Sequence, residues 1–365
     1  LPTRLLAELL DALEGGFRFH PKTGRRFEFD PAVMTAERLD VLEARGAFHY
    51  SFGVQTLDSG VNAAHDRGAQ SAKLVAKRFA EMKERNIEEV SVDFLMGLAG
   101  TTPERLFADI ETVVEQHRPH SVDIFMLTPT HAYVASHFGG SFDAFWDHIR
   151  AFELQVGPWL QQIAERQQYR VQVGQGHHLV LRRDDGFKRV RATGSMSYSQ
   201  LASERHQPIN LMGIGPSARG HIWGQAIIQT QDPPEGAESD APAVYAGNAL
   251  SMQDEQRIYL AHHLRDKDEA DRTVLREIFG TDVTQLAPVA VAGLQADGVA
   301  TLDEQTLRFA PQERRERTRA LLWLVPDAAL EQAVAKHHGI DLRAETLRWC
   351  VRPLQEGSPL HGGIT

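Results

Sequence analysis

Residues 50–68 read "YSFGVQTLDSGVNAAHDRG". Tyr50, Phe52 and Val54 alternate as the buried face of a strand would. The next residue, Gln55, is an amide that must find partners if it follows them into a core. Working outward, "RRFEFDP" (25–31) reads as an earlier strand closed by a proline. "TAERLDVLEARG" (35–46) reads as a helix capped by Thr35, with Leu39 and Leu42 inward and Gly46 closing it. "QSAKLVAKRFAEMKERN" (70–86), "EEVSVDFLMGL" (88–98), "TPERLFADIETVVEQH" (102–117), "HSVDIFMLTPT" (120–130) and "FDAFWDHIRAFELQVGPWLQQIAERQ" (142–167) continue the alternation of helix and strand. Such alternation is the mark of βα units building a parallel sheet, whose ligands bind at the carboxyl ends of strands. Gln55 stands at such an end.

Composition narrows the function classes. The 365 residues carry 39 Lys and Arg against 49 Asp and Glu, a formal charge of −10, so the basic footprint of a nucleic-acid binder is missing. No apolar run reaches membrane-spanning length, and the acidic, amphipathic start "LPTRLLAELLDALEGG" lacks the basic region of a signal peptide, so a cytoplasmic, membrane-free protein is expected. That start reads as a helix of Leu5, Leu6, Leu9, Leu10 and Leu13, capped by Gly15 and Gly16. The single cysteine, Cys350, excludes an intrachain disulfide and any all-cysteine metal site within this chain.

The expected organisation is a partial (β/α) barrel over 1–165, a β-rich extension with a glycine-rich loop over 166–228 and a mobile acidic loop over 229–247. A mainly helical, winged-helix-like domain follows over 248–350, then a tail over 351–365. Four polar residues are unexplained by the apolar pattern: Glu28 between Phe27 and Phe29, Gln55, Arg67, and Asp93 inside "VSVDFLMG". A carboxylate in a doubly covered strand needs a partner. In one reading Glu28, Arg67 and Asp93 form ion pairs that brace the barrel. In the other, acids, amide and guanidinium converge on a polar ligand carrying amino, carboxylate and hydroxyl groups.

Family resemblance favours the second. "FEFDPAVMTAERLDVLEARGAFHYSFGVQTLDSGVNAAHDRG" (27–68), "VSVDFLMGLAGTTPERLFADIE" (90–111) and "LMGIGPSARGHIWG" (211–224) resemble, in order, three motifs of radical SAM enzymes related to oxygen-independent coproporphyrinogen III oxidase. "QLAPVAVAGLQADGVATLDEQTLRFAPQERR" (285–315) is similar to that family's C-terminal module. The resemblance implies that Glu28, Gln55, Arg67 and Asp93 bind S-adenosylmethionine, and that Gly213, Gly215 and Ser217 lie in a substrate loop. It also implies a 4Fe-4S cluster, an electron donor such as flavodoxin, and a tetrapyrrole or natural-product substrate. The implied reaction is oxidative decarboxylation of coproporphyrinogen III, or radical methyl transfer. A cluster-free, haem-binding carrier on the same barrel is the alternative, with histidines as axial ligands.

Three departures stand out. Ala99 occupies a position where the family motif has proline, and His49 one where arginine is usual. The Cys-x-x-x-Cys-x-x-Cys loop that would hold the cluster is absent, so the chain is expected to lack about two initial strands and to be inactive in reductive cleavage as it stands. "GIGPSARG" reads as a tight turn rather than a phosphate loop, having neither the flanking strand and helix nor a Lys-Ser/Thr pair. The doublets His177-His178, His262-His263 and His337-His338 cannot chelate as neighbours, and His117 and His120 have no third ligand.

Overall fold

The computed structural model describes residues 1–19, 25–47, 49–127, 129–173, 178–184, 210–215, 218–230, 245–267 and 269–310, with Leu321 and Leu324. The chain forms two compact units, Leu1–Ser195 and Met196–Thr365.

The first unit is built on β1 (Arg26–Phe29), β2 (His49–Gln55), β3 (Glu89–Met96), β4 (Ser121–Met126), β5 (Tyr169–Val173) and β6 (His178–Arg183). Their order is β1-β2-β3-β4-β6-β5, with the first four parallel. The helices are α1 (Thr3–Gly16), α2 (Ala36–Glu43), α3 (Ser59–Ala64), α4 (Ala72–Glu84), α5 (Pro103–His117), α6 (His131–Phe138) and α7 (Phe142–Gln167). Most begin on a side-chain cap: Thr35, Asp58, Ser71, Thr102, Thr130 and Ser141 each accept from a backbone N–H of the first turn. A cap of this kind is worth about 1 kcal/mol.

Alternation sorts the strands into two faces. Tyr50, Phe52, Val54, Val92, Phe94, Val122 and Ile124 are fully buried in one core with Leu39 and Leu42 of α2, Val75 and Met82 of α4, Leu106 and Ile110 of α5, and Phe152 and Leu160 of α7. Each such side chain contributes roughly 1.5–3 kcal/mol of transfer free energy. The other face carries polar side chains, described below.

The partial parallel barrel expected from the sequence is present. Two details differ. The hairpin β5–β6, placed outside the barrel by the sequence reading, joins its sheet, because β6 pairs antiparallel with β4. In α1, Gly15 and Gly16 are the last helical residues and extended Phe17 is the C-cap; Leu10 is buried while Leu5 and Leu9 stay exposed.

In the second unit β7 (Arg219–Ile222), β8 (Ala226–Thr230) and β9 (Tyr245–Ala249) form an antiparallel sheet. Both ends of the segment expected to be a mobile loop over 229–247 are thus strand, and its middle, 231–244, lies outside the described residues. There follow α8 (Met252–Lys267), β10 (Glu269–Asp271), α9 (Arg272–Phe279), α10 (Val283–Leu286), α11 (Pro288–Ala296), β11 (Ala300–Leu302) and β12 (Thr306–Phe309). The sheet order β10-β12-β11, with Tyr259, Leu275, Leu294 and Leu307 in a common core, is the winged-helix-like arrangement anticipated for this region. Among the described residues no helix is long and apolar enough to cross a membrane. The tail over 351–365, Cys350, His177 and the pair His337-His338 lie outside the described residues.

Candidate ligand site on the inner face of the barrel

The inner face is polar in successive rows. Arg26, His49 and Glu89 align; then Glu28, Ser51, Ser91 and Ser121; then Gly53, Asp93 and Asp123. Hydrogen bonds knit the rows together. His49 Nε2 lies 2.6 Å from Ser91 Oγ, and Ser91 Oγ lies 2.8 Å from Ser121 Oγ. Ser121 Oγ donates to Asp123 Oδ2 at 2.9 Å, and Ser51 Oγ donates to Asp93 Oδ1 at 3.0 Å. Arg26 is half-buried and Glu28 exposed; the other side chains of these rows are buried. Three carboxylates, Glu28, Asp93 and Asp123, therefore share one face, the two aspartates shut off from water and Glu28 open to it. Burial above all, then Asp123 and Glu28, pushes the Asp93 carboxyl up to about 7, against the opposing pull of Arg26 and Ser51.

The second cluster lies at the carboxyl end of β2. Gln55 is left-handed, with φ of +63°, next to a shift of register between Gly53 and Gln55. A non-glycine residue in that region costs free energy, and such residues concentrate at functional sites. A Cβ added to Gly53 would come within 3.1 Å of Gln55 Nε2 and 3.7 Å of an Arg67 terminal nitrogen. The bare glycine thus opens a cradle between the amide and the guanidinium. Gln55 makes no side-chain hydrogen bond to a described residue. This is the amide that the strand pattern left unexplained.

Arg67 is held from several sides. One of its terminal nitrogens donates to Gly53 O at 2.6 Å and Gln70 Oε1 at 2.9 Å, and pairs with Asp30 Oδ2 at 3.0 Å. Its Nε is buried without a partner among the described residues. Gln70 in turn donates to Val54 O, and Asn62 Nδ2 donates to Thr56 O at 3.0 Å. Asp109 Oδ2 accepts from Thr56 Oγ1 and from Leu57 N, each at 2.7 Å. Together these bonds tie the end of β2 and the loop after it to α3, to the segment before α4, and to α5.

The four residues singled out from sequence therefore fall into two adjoining groups. Glu28 and Asp93 flank Ser51, while Gln55 and Arg67 flank Gly53, two positions further along the same strand. The bracing triad of Glu28, Arg67 and Asp93 does not form, because the ion-pair partner of Arg67 is Asp30. Gly213 and Gly215 belong to the second unit. There a Cβ on Gly213 would stand 2.4 Å from Arg219 O, Gly215 has φ of +102°, and Ala218 N donates to Gly215 O at 3.1 Å, a tight turn. Ser217 lies outside the described residues. Sequence reasoning passed over Ser51, Asp123, Asp30 and Gly53.

A cradle without side chain, an acid pair and a buried, unsatisfied guanidinium N–H suit a small ligand that is cationic at one end and carboxylate-bearing at the other. The chemistry of S-adenosylmethionine fits that donor set. A 4Fe-4S cluster does not: its thiolates exceed the single cysteine of the sequence, and among the described residues no three His, Cys, Asp or Glu are placed to hold a metal.

The strands and helices of the first unit define a parallel α/β half-barrel with an antiparallel hairpin at one edge of its sheet. Coproporphyrinogen III oxidase (HemN) from Escherichia coli, whose structure identifies it as a radical SAM enzyme, superposes with a TM-score of 0.68 at 19% identity, covering 89% of this chain and 74% of that one. The haem chaperone HemW of Bacillus subtilis (strain 168) is 31% identical over 93 residues, 26% of this chain and 24% of that protein. The match thus spans about a quarter of the length of that curated relative. No family model matches the chain. Both likenesses agree with the resemblance drawn from the motifs.

Proposed function

We propose that the first unit is the S-adenosylmethionine-binding portion of a radical SAM protein of the coproporphyrinogen III oxidase and haem chaperone branch. In this reading Asp93 and Glu28 receive the amino group and ribose hydroxyls, Arg67 the carboxylate, and Gln55 the polar edge of the ligand above Gly53. The observation that carries it is the meeting of these groups around Ser51 and Gly53 on one strand. Bound together with a cluster, the cofactor would supply radical chemistry; the residues of this chain would bind and orient it, with Asp93 shut off from water. Thiolates for that cluster would have to come from outside this sequence, and the electron donor and the tetrapyrrole substrate belong to the same proposal.

Calorimetric titration with S-adenosylmethionine tests it. Binding should weaken at least tenfold in Asp93→Asn while the fold is retained; equal affinity in both proteins would remove the proposal. The likeness to HemW supports a second reading, in which the same barrel serves a haem carrier. Stoichiometric haem uptake, followed by absorbance, with no affinity for S-adenosylmethionine would favour that reading instead.

A further inference from the structure

A groove of about 660 Å³ lies at the opposite pole of the barrel, where β3 begins and α4 and α5 end. We propose that it is a second ligand site, taking a small planar heteroaromatic molecule with polar edges, of nucleobase type, stacked against His117. The volume falls within the range of small-molecule sites. Its wall is a prepared ring stack: Phe79 and His117 lie parallel, centroids 4.5 Å apart at 8°, and Phe79 is fixed from behind by an edge contact with Phe52 at 5.7 Å. Phe79 covers one face of the imidazole, and the remaining surface of that ring borders the groove. An aromatic ligand there would extend a stack already anchored in the core, an arrangement worth about 0.5–1.5 kcal/mol beyond burial.

His117 has no hydrogen-bond partner among the described residues, although the ring is half-buried. Burial holds its pKa below the ordinary value, so the imidazole is neutral near pH 7 and presents an uncharged ring for a heteroaromatic ligand to stack on. Charges of both signs border the groove, Lys83 and Arg118 together with Glu88 and Glu115, which suits a ring with amide or amino substituents better than a bare anion. Two groove residues, Asn86 and Arg118, adopt left-handed backbone at φ of +56° and +47°, shaping the turns that open it.

Adenosine is the probe, followed on the full chain by saturation-transfer NMR and titration. Binding should fall at least tenfold in His117→Ala and in Ala80→Trp, the latter placing a bulky ring at an exposed position on the wall without touching the core. It should be unchanged in Asp93→Asn, which separates this site from the one on the inner face. Absence of any adenosine signal at millimolar concentration would overturn the proposal. So would a signal that Asp93→Asn abolishes while His117→Ala and Ala80→Trp, both folded by circular dichroism, leave it intact.

Discussion

Asp93 on β3 and Asp123 on β4 are register partners in the parallel sheet, both on its polar inner face. Each accepts a hydrogen bond from a serine, Ser51 Oγ at 3.0 Å for Asp93 and Ser121 Oγ at 2.9 Å for Asp123. Two acids so placed do not ionise independently. With its pKa raised to about 7, Asp93 holds a proton in the folded state that the unfolded chain releases near its ordinary value of 3.8. The resulting stabilisation is complete below the unfolded value and is lost as pH rises through 7. At about 1.4 kcal/mol per unit, the change between pH 4 and 8 is of order 4 kcal/mol at most. Denaturant unfolding at a series of pH values should show this decline, and Asp93→Asn should flatten it. A wild-type curve flat across that window would contradict the burial described for this carboxyl.

The same electrostatics ties ligand binding to protons. A sulfonium or ammonium group beside Asp93 favours its ionised form, so binding a cation near neutral pH should release a proton. Calorimetry of S-adenosylmethionine in two buffers of different ionisation enthalpy measures that release. It should approach one proton below pH 7 and vanish in Asp93→Asn. Identical heats in both buffers would place the positive charge away from this acid.

Gly53 offers a steric test. Alanine there would put a methyl group 3.1 Å from Gln55 Nε2, the end of a flexible side chain, and 3.7 Å from both Arg67 and Phe29 O, an ordinary van der Waals distance. Stability should therefore change by less than about 1 kcal/mol, while ligand affinity drops at least tenfold because the cradle is filled. Gly97 is the contrast: its φ is +94°, and a Cβ would lie 2.1 Å from Ile149 Cδ1, so Gly97→Ala should cost about 2 kcal/mol or more. Thermal melts of the two variants, read beside calorimetric affinities, would show whether space at Gly53 serves a ligand or the fold.

The strands, their order along the chain and the residues that break their apolar runs were legible because burial imposes a period of two. Asp93 stood out in "VSVDFLMG" for that reason. Asp123 was legible by the same rule and overlooked: "SVDFLM" (91–96) and "SVDIFM" (121–126) carry serine and aspartate at equal offsets, and these very residues align in the sheet. The pairing of Arg67 with Asp30 was not legible, since it depends on how the loop after β2 folds back on β1. Nor was the antiparallel attachment of β6, because periodicity reports that a strand has a buried face and not which way its neighbour runs.

The loop after β3 shows how one departure from the family motif is accommodated. Proline at position 99 would have no N–H; alanine supplies one, and Ala99 N donates to Tyr133 Oη at 2.8 Å. On the other side of the residue, Ala99 O lies 3.1 Å from His65 Nε2, and the preceding Leu98 O lies 3.3 Å from His148 Nε2. Tyr133 stacks on His65 with centroids 5.7 Å apart, so α3 and α6 grip the loop together. Hydrogen bonds here do the work that a fixed φ would do in the family motif. Tyr133→Phe should cost about 1 kcal/mol, the usual net value of one such bond, and speed amide exchange at Ala99. Ala99→Pro in the wild-type background loses the same bond, whereas in Tyr133→Phe it removes none and restricts the unfolded chain. The double variant should then be more stable than Tyr133→Phe alone. If Ala99→Pro destabilised both backgrounds equally, the loop would owe its shape to something other than the contact between Ala99 and Tyr133.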